Sequence, residues 1–205
     1  MKIDLKKDRR DLYLPGSKDF VEVLVPPITY LAVDGHGDPN TSAAYPLAVQ
    51  ALYASAYAVK FALRARTGED FVVGPLEGLW SSPDPTAFTA GRKQEWDWTM
   101  LSPLPGVVGD RDVEAGREAA ARKKPGLDLS GVRVLDYDEG RSLQILHIGP
   151  YDTEAPTLAR LHHEVMPAAG LAFNGRHHEI YLGDPRRASP ATLRTVLRQP
   201  VTPIG

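Results

Sequence analysis

Tyr30-Leu-Ala-Val-Asp-Gly35 and Gln144-Ile-Leu-His-Ile-Gly149 decide how this chain is read. Each is a mainly apolar run that closes on glycine, passes through an Asp-containing turn and enters a long helical stripe. The offset between the two is 114 residues, both for Tyr30 to Gln144 and for Gly35 to Gly149. In each half two further strands follow the helix, so the pattern is βαββ twice. Two copies make a duplication rather than a solenoid. The expected fold is therefore α+β: tandem duplicated βαββ (SHS2-like) modules with pseudo-twofold symmetry and a ligand cleft between them.

Working outward, Phe20 to Val25 and Ile28 to Val33 read as a strand, a break or bulge at Pro26-Pro27, and a continuing strand. The turn Asp34 to Asn40 ends it. Thr41-Ser42 are capping types for a helix whose apolar positions, Tyr45, Val49, Leu52, Ala56, Val59 and Leu63, recur every three or four residues until Thr67-Gly68. Phe71 to Val73 is a short apolar run. After a turn-rich loop, Gln94 to Leu101 reads as a strand with Trp96, Trp98 and Met100 on one face. Asp110 is a candidate cap for a charged, Ala-rich helix reaching Lys124, and Pro125-Gly126 breaks the chain. In the second half Val132 to Tyr137 and Ser142 to Ile148 read as strands around the turn Asp138 to Arg141. Thr153 is the candidate cap of a helix carrying Leu158, Leu161, Val165 and Ala168. His177 to Leu182 and Leu193 to Arg198 then read as strands around the turn Gly183 to Arg186, the second of them also compatible with helix. The predicted division is an amino-terminal surface arm (residues 1–16), a first module with its connecting helix (17–124) and a second module (125–205).

Composition narrows the function classes. At 205 residues with 42% hydrophobic content the chain can bury a substantial core. A net charge of −2 with scattered Lys and Arg gives no row of cations for phosphates, so direct nucleic-acid binding is not expected. Ala43 to Leu63, the longest mainly apolar stretch, is interrupted by Gln50, Ser55 and Lys60, and Met1 to Asp11 is too charged for a signal peptide. No membrane association is expected, and the default compartment is the cytoplasm. The absence of cysteine removes disulfides, thiolate nucleophiles, iron–sulfur clusters and Cys-type zinc sites.

Tyr30 to Asn40, Pro75 to Trp80, Glu95 to Met100, His147 to Tyr151 and Gly175 to Arg187, in this order and spacing, resemble the stand-alone branch of the GyrI-like (gyrase-inhibitor-like) small-molecule-binding domains. The resemblance spans most of the chain. It implies a pair of βαββ modules with a ligand cleft, binding of varied lipophilic cations, and, for a subset, hydrolysis of cyclopropane-containing DNA-alkylating natural products. It also implies that a Glu at position 179 serves the ligand. The helix-turn-helix and coiled coil of the regulators in the family have no counterpart here, which disfavours direct transcriptional control.

In His177-His-Glu-Ile-Tyr-Leu182, period-two alternation separates Ile180 and Leu182 from His177, Glu179 and Tyr181. With Ile180 and Leu182 on the helices, Glu179 points into the cleft, where a carboxylate attracts a cation or, desolvated, activates water. The alternative is a solvent-facing Glu paired with Arg186 or Arg187. Trp80 and Trp98 are placed in the cleft as walls for stacking and cation–π attraction, whereas for Trp96 core or rim packing ranks above ligand contact. Tyr30 and Tyr151 offer a ring and a hydroxyl from the two modules, although a buried tyrosine bonded to backbone explains either equally well. His147 is a further cleft candidate or a packed polar residue.

Neither His162-His163 nor His177-His178 can chelate one ion as neighbours, and no metal site is expected. The Asp34 to Asn40 turn lacks a calcium-loop pattern, its glycines lack the dinucleotide fingerprint, and no G-x-S-x-G elbow occurs, so no cofactor is expected. Three functions remain: sequestration of bulky planar, often cationic lipophilic molecules; hydrolysis of strained electrophiles with Glu179 acting on water; and a protein-interaction or topoisomerase-regulating role.

Overall fold

The computed structural model describes residues 2–84, 86–184 and 187–205. The chain opens with β1 (Lys2–Ile3), α1 (Leu5–Asp8), α2 (Arg10–Tyr13), β2 (Val21–Val25) and β3 (Ile28–His36). There follow α3 (Ala44–Thr67), β4 (Asp70–Phe71), β5 (Leu76–Ser81), α4 (Thr86–Thr89), β6 (Asp97–Pro103) and α5 (Asp110–Lys123). The remainder comprises β7 (Arg133–Tyr137), β8 (Gly140–Ile148), α6 (Ala155–Arg160), α7 (Met166–Ala168), β9 (Leu171–Phe173), β10 (His177–Tyr181) and β11 (Arg194–Pro203). It is a mixed α/β molecule built on one large antiparallel sheet.

That sheet runs β2-β8-β11-β10-β5-β6-β3-β7, with β9 added on β11. Although β2 and β3 are joined only by Pro26-Pro27, β2 pairs with β8 at one end of the path and β3 with β7 at the other. A link of this length spans roughly 10 Å, so the sheet must curl to bring its ends together. The two segments are therefore not one interrupted strand. Proline ends the pairing of β2 and redirects the chain, because it has no N–H for a ladder.

On one face, called the front, α3 buries Leu52, Ala56, Val59 and Leu63 against Leu31, Val33, Trp98 and Met100 of the sheet. Each such aliphatic side chain contributes roughly 1.5–3 kcal/mol of transfer free energy. α5 packs on α3. In the other half, Leu161, Val165 and Met166 cover Leu143 and Val201. The stripe expected to reach Ala168 instead uses Met166, because a π-helical turn (Leu161–Val165) joins α6 to α7 and inserts a residue into the repeat.

The opposite, concave face is closed by the amino-terminal arm. Leu12 and Tyr13 of α2 are buried against Val25, Leu146, Ile180 and Val196, so the arm is an integral plug where a surface segment is expected from its charge. Other local expectations also change. The two strands after α3 are β5 and β6, not Phe71 to Val73, which supplies only β4 paired with β1. Asp110 is the first residue of α5 behind Gly109, while Asp112 accepts the Gly109 N–H and the Arg66 guanidinium. Thr153 caps nothing: its hydroxyl donates to Pro150 O within a short 3-10 turn. Leu193 to Arg198 falls almost wholly in a ten-residue strand.

Candidate functional site

β5 and β10 meet at the centre of the sheet in a register that sets Trp80 opposite His177, Gly78 opposite Glu179 and Leu76 opposite Tyr181. β6 places Trp98 opposite Trp80 on one side and Gly35 on the other. Alternation then puts Trp80, Trp98, His177, Glu179 and Tyr181 on the front face, between the two helical halves. Two glycines make room for this cluster. A Cβ on Gly35 would lie 2.0 Å from the Trp98 ring, and one on Gly78 would lie 2.9 Å from Trp80 Nε1 and 3.3 Å from the Tyr181 hydroxyl. The rings therefore lie directly on backbone.

A hydrogen-bond chain threads the cluster. Trp80 Nε1 donates to the Tyr181 hydroxyl (3.1 Å), which donates to Glu179 Oε2 (2.8 Å). His177 Nε2 is 3.5 Å from Glu179 Oε1, in ion-pair range but without hydrogen-bond alignment. The Glu179 side chain retains 16% of its exposure and ion-pairs with no described Lys or Arg. Burial and the neighbouring Glu179 charge hold the Tyr181 phenol well above its usual range, so it is a hydrogen-bond donor at neutral pH.

A second carboxyl completes the site. Glu154, directly before α6, is 5% exposed, and its Oε1 has no hydrogen-bond partner. Burial first, and the Glu179 charge second, push its pKa up to about 9, so it is neutral at pH 7. The Thr195 hydroxyl lies beside it, lowering that value slightly, although no aligned hydrogen bond forms. From the π-helical turn His162 comes close enough to His177 to feel its charge; burial and that charge lower its pKa to about 4. Unpartnered buried polar atoms thus collect on this face: Glu154 Oε1, Trp98 Nε1, Thr195 Oγ1 and both ring nitrogens of His177. Buried polar atoms are usually paired, and a cluster of exceptions marks a place built for something else to bind.

The expected site residues divide as follows. Glu179, Trp80 and Trp98 come together, but Trp80 (5% exposed) and Trp98 (2%) are packed in the core beneath α3, where open cleft walls are expected from the sequence. Tyr151 stands at the rim, 39% exposed, with its ring edge-on to Tyr181 at 5.6 Å. His147 shares the front face through its pairing with Thr195, but its Nε2 lies 3.3 Å from Pro150 O and 3.2 Å from Thr153 Oγ1, holding the turn that carries Tyr151. Trp96 lies before β6, after a 3-10 turn (Lys93–Glu95), and packs on Trp80 and Phe88. Tyr30 faces the opposite way: it is 1% exposed on the concave side with Ala32, Leu79 and Leu101. The Arg187 guanidinium lies 3.9 Å from Asp184, and Arg186 lies outside the described residues. Tyr45, edge-on to Trp98 at 5.1 Å, is an added wall from α3.

Behind Glu179 the next residue inward is of a different kind. His178, 0% exposed, is bracketed by Glu139 (3.0 Å) and Glu77 (3.0 Å). Glu139 also takes Arg198 Nη1 (3.1 Å), Glu77 accepts from Tyr13, and Arg198 Nη2 donates to Leu12 O. Burial alone would discharge His178, but the two carboxylates overcome it and raise its pKa to about 9; burial would likewise raise Glu139, yet His178 and Arg198 bring it down to about 2. This network pins the arm and stiffens the strand that carries Glu179.

The model of the GyrI-like small molecule binding domain matches residues 18–202. The chain belongs to this family. An uncharacterized conserved protein from Listeria innocua is 39% identical to it, over 98% of this chain and 100% of that one, with a TM-score of 0.89. A protein of the same organism described as a hydrolase is 37% identical over the same shares, with a TM-score of 0.87. The EcmrR C-terminal domain, at 10% identity and a TM-score of 0.58 over 90% of this chain and 98% of its own, shares the fold alone. No curated protein matches the chain.

In this GyrI-like domain the front cluster brings aromatic rings and carboxyl groups together. Elsewhere, a hollow of about 540 Å³ between α3 and α5 is lined by alanines with Tyr57, Phe61 and two lysines, and lacks convergent polar groups. No helix among the described residues is long and apolar enough to cross a membrane.

Proposed function

We propose that this domain binds bulky, flat, lipophilic cations on the front of β5 and β10, with Tyr151 and Tyr45 as ring surfaces, the buried Trp80 and Trp98 rings packed behind them, and Glu179 as counter-charge. The observation that carries the reading is Glu179 itself: a largely buried carboxylate, held by Tyr181, close to aromatic side chains and without a Lys or Arg partner among the described residues. A cation stacked there gains from ring quadrupoles and from a carboxylate screened less than one in water. Two βαββ units, β3-α3-β5-β6 and β8-α6/α7-β10-β11, flank the site, and the strand order supports reading them as a duplicated pair. No nucleic-acid contact is part of this reading.

Hydrolysis is the second reading, favoured by the 37% identical relative described as a hydrolase and by a second carboxyl, the protonated Glu154, near Glu179. Glu179 then takes a proton from water as that water opens a strained, electrophilic ring. Incubation with planar cations and with strained-ring DNA-alkylating compounds, followed by mass spectrometry, separates the two. Bound parent compound supports sequestration; hydrolysed product supports catalysis; neither refutes the site.

A further inference from the structure

We propose that Glu154 is the second carboxyl of this site and that the site exchanges a proton for each cation it binds. The inference rests on the cation-binding reading above and adds its regulation by pH. Glu154, directly before α6, and Glu179, on β10, lie near enough for the charge of one to act on the other. Glu179 accepts from Tyr181, Tyr181 is paired across the sheet with Thr195, and the Thr195 hydroxyl lies beside Glu154. Oε1 of Glu154 is buried with nothing to bond to, so the carboxyl is positioned by the fold without being satisfied by it.

Two neighbouring carboxylates with little access to water disfavour being charged together, and a cation between them offsets that cost. Neither pairs with a described Lys or Arg; Arg160 of α6 donates to Lys18 O, and Arg198 of β11 is held on the concave side by Glu139, Gln144 and Leu12 O. The titratable groups facing the pair are His177 and Tyr181 from β10, Tyr45 from α3, His147 from β8, and Tyr151 and His162 from the segment flanking Glu154. Asp152 and Asp184 add negative charge nearby, with Lys93 3.9 Å from Asp152 at the rim. Before ligand arrives, Glu154 keeps its proton. When a permanent cation lodges between them, the O–H bond of Glu154 breaks, its proton leaves to solvent, and the second carboxylate joins in neutralising the ligand. An uncharged ligand of the same shape leaves that proton in place.

By linkage, proton release and the pH dependence of affinity are one quantity. Up to roughly one proton is released per cation near pH 7, and affinity for the cation rises by up to about tenfold per pH unit as pH climbs from 7 towards about 9. The test is calorimetric titration of the full chain with N-methylphenanthridinium and with uncharged phenanthridine, in buffers of differing ionisation enthalpy, for the parent and for Glu154→Gln. The expected result is proton release with the cation alone, abolished in Glu154→Gln, whose Kd for the cation becomes flat with pH. Cation binding with no proton release, or release that persists in Glu154→Gln, overturns the exchange and leaves the cation-binding reading standing. Absence of cation binding by the folded parent at every pH overturns both.

Discussion

Replacing Glu154 by glutamine removes a carboxyl that the fold has to keep protonated, and the change should stabilise the protein in a pH-dependent way. In the unfolded chain Glu154 titrates near its ordinary value of 4.5, whereas in the native state burial and Glu179 push it up to about 9. A group raised on folding contributes its stability below the unfolded value and loses it as pH rises through the native one. Between about pH 4.5 and 9 the native state therefore holds a proton that the unfolded state has released, at about 1.4 kcal/mol per pH unit. At pH 7, about 2.5 units above the unfolded value, the parent is penalised by about 3 kcal/mol. Glutamine has the same shape and cannot titrate. Urea unfolding of both proteins from pH 5 to 9 should show the stability of Glu154→Gln relative to the parent climbing by about 1.4 kcal/mol per unit. Because His178 titrates identically in the two proteins, it cancels in the difference. A difference that does not vary with pH refutes the burial and charge environment assigned to Glu154.

Three further expectations follow from the same geometry. His178→Ala leaves Glu77 and Glu139 buried without their shared partner and should lower stability by about 3–5 kcal/mol in urea unfolding; the network it completes is whole above about pH 4.5 and below about pH 6.5, weakening as pH rises through 9 or falls through 2. Gly35→Ala drives a methyl into the Trp98 ring and should destabilise by about 1–3 kcal/mol while blue- or red-shifting tryptophan emission; an unchanged spectrum would show that the ring does not lie on Gly35. Planar cations should quench tryptophan fluorescence, with Trp80→Phe and Trp98→Phe each reducing the quenching, whereas unchanged amplitude and Kd in both would remove the two tryptophans from the proposed site.

Much of the sheet could be read because its strands carry uninterrupted apolar runs: Ile28–His36 and Gly140–Ile148 are found close to where the repeated apolar-to-glycine pattern places them. Leu76–Ser81 escaped because Pro75 and Gly78 signal turns, and Gly78 is present for the room it gives to Trp80 and Tyr181, not for a turn. Alternation orders residues within a strand but does not set the phase of one strand against another. It correctly grouped His177, Glu179 and Tyr181, yet could not tell that Tyr30 points to the concave side. Glu154 was missed because Asp152-Thr-Glu-Ala-Pro156 looks like an ordinary acidic helix start, and only the packing reveals its burial. His178 carried a usable signal: it alternates with Glu179 and so had to face the other way. Its partners, from Glu77 to Arg198, come together only through the long-range pairing of the sheet.

Glu179→Gln, titrated against N-methylphenanthridinium and uncharged phenanthridine, tests the assigned site most directly. The amide keeps the size of the side chain and its bond from Tyr181 while removing the charge. The expected result is at least about a tenfold weaker Kd for the cation, the loss of about 1.4 kcal/mol or more of charge attraction, with the neutral ring bound as tightly as by the parent. Equal affinity of parent and Glu179→Gln for the cation, in a variant whose unfolding midpoint shows it folded, would contradict the assignment of Glu179 as the counter-charge.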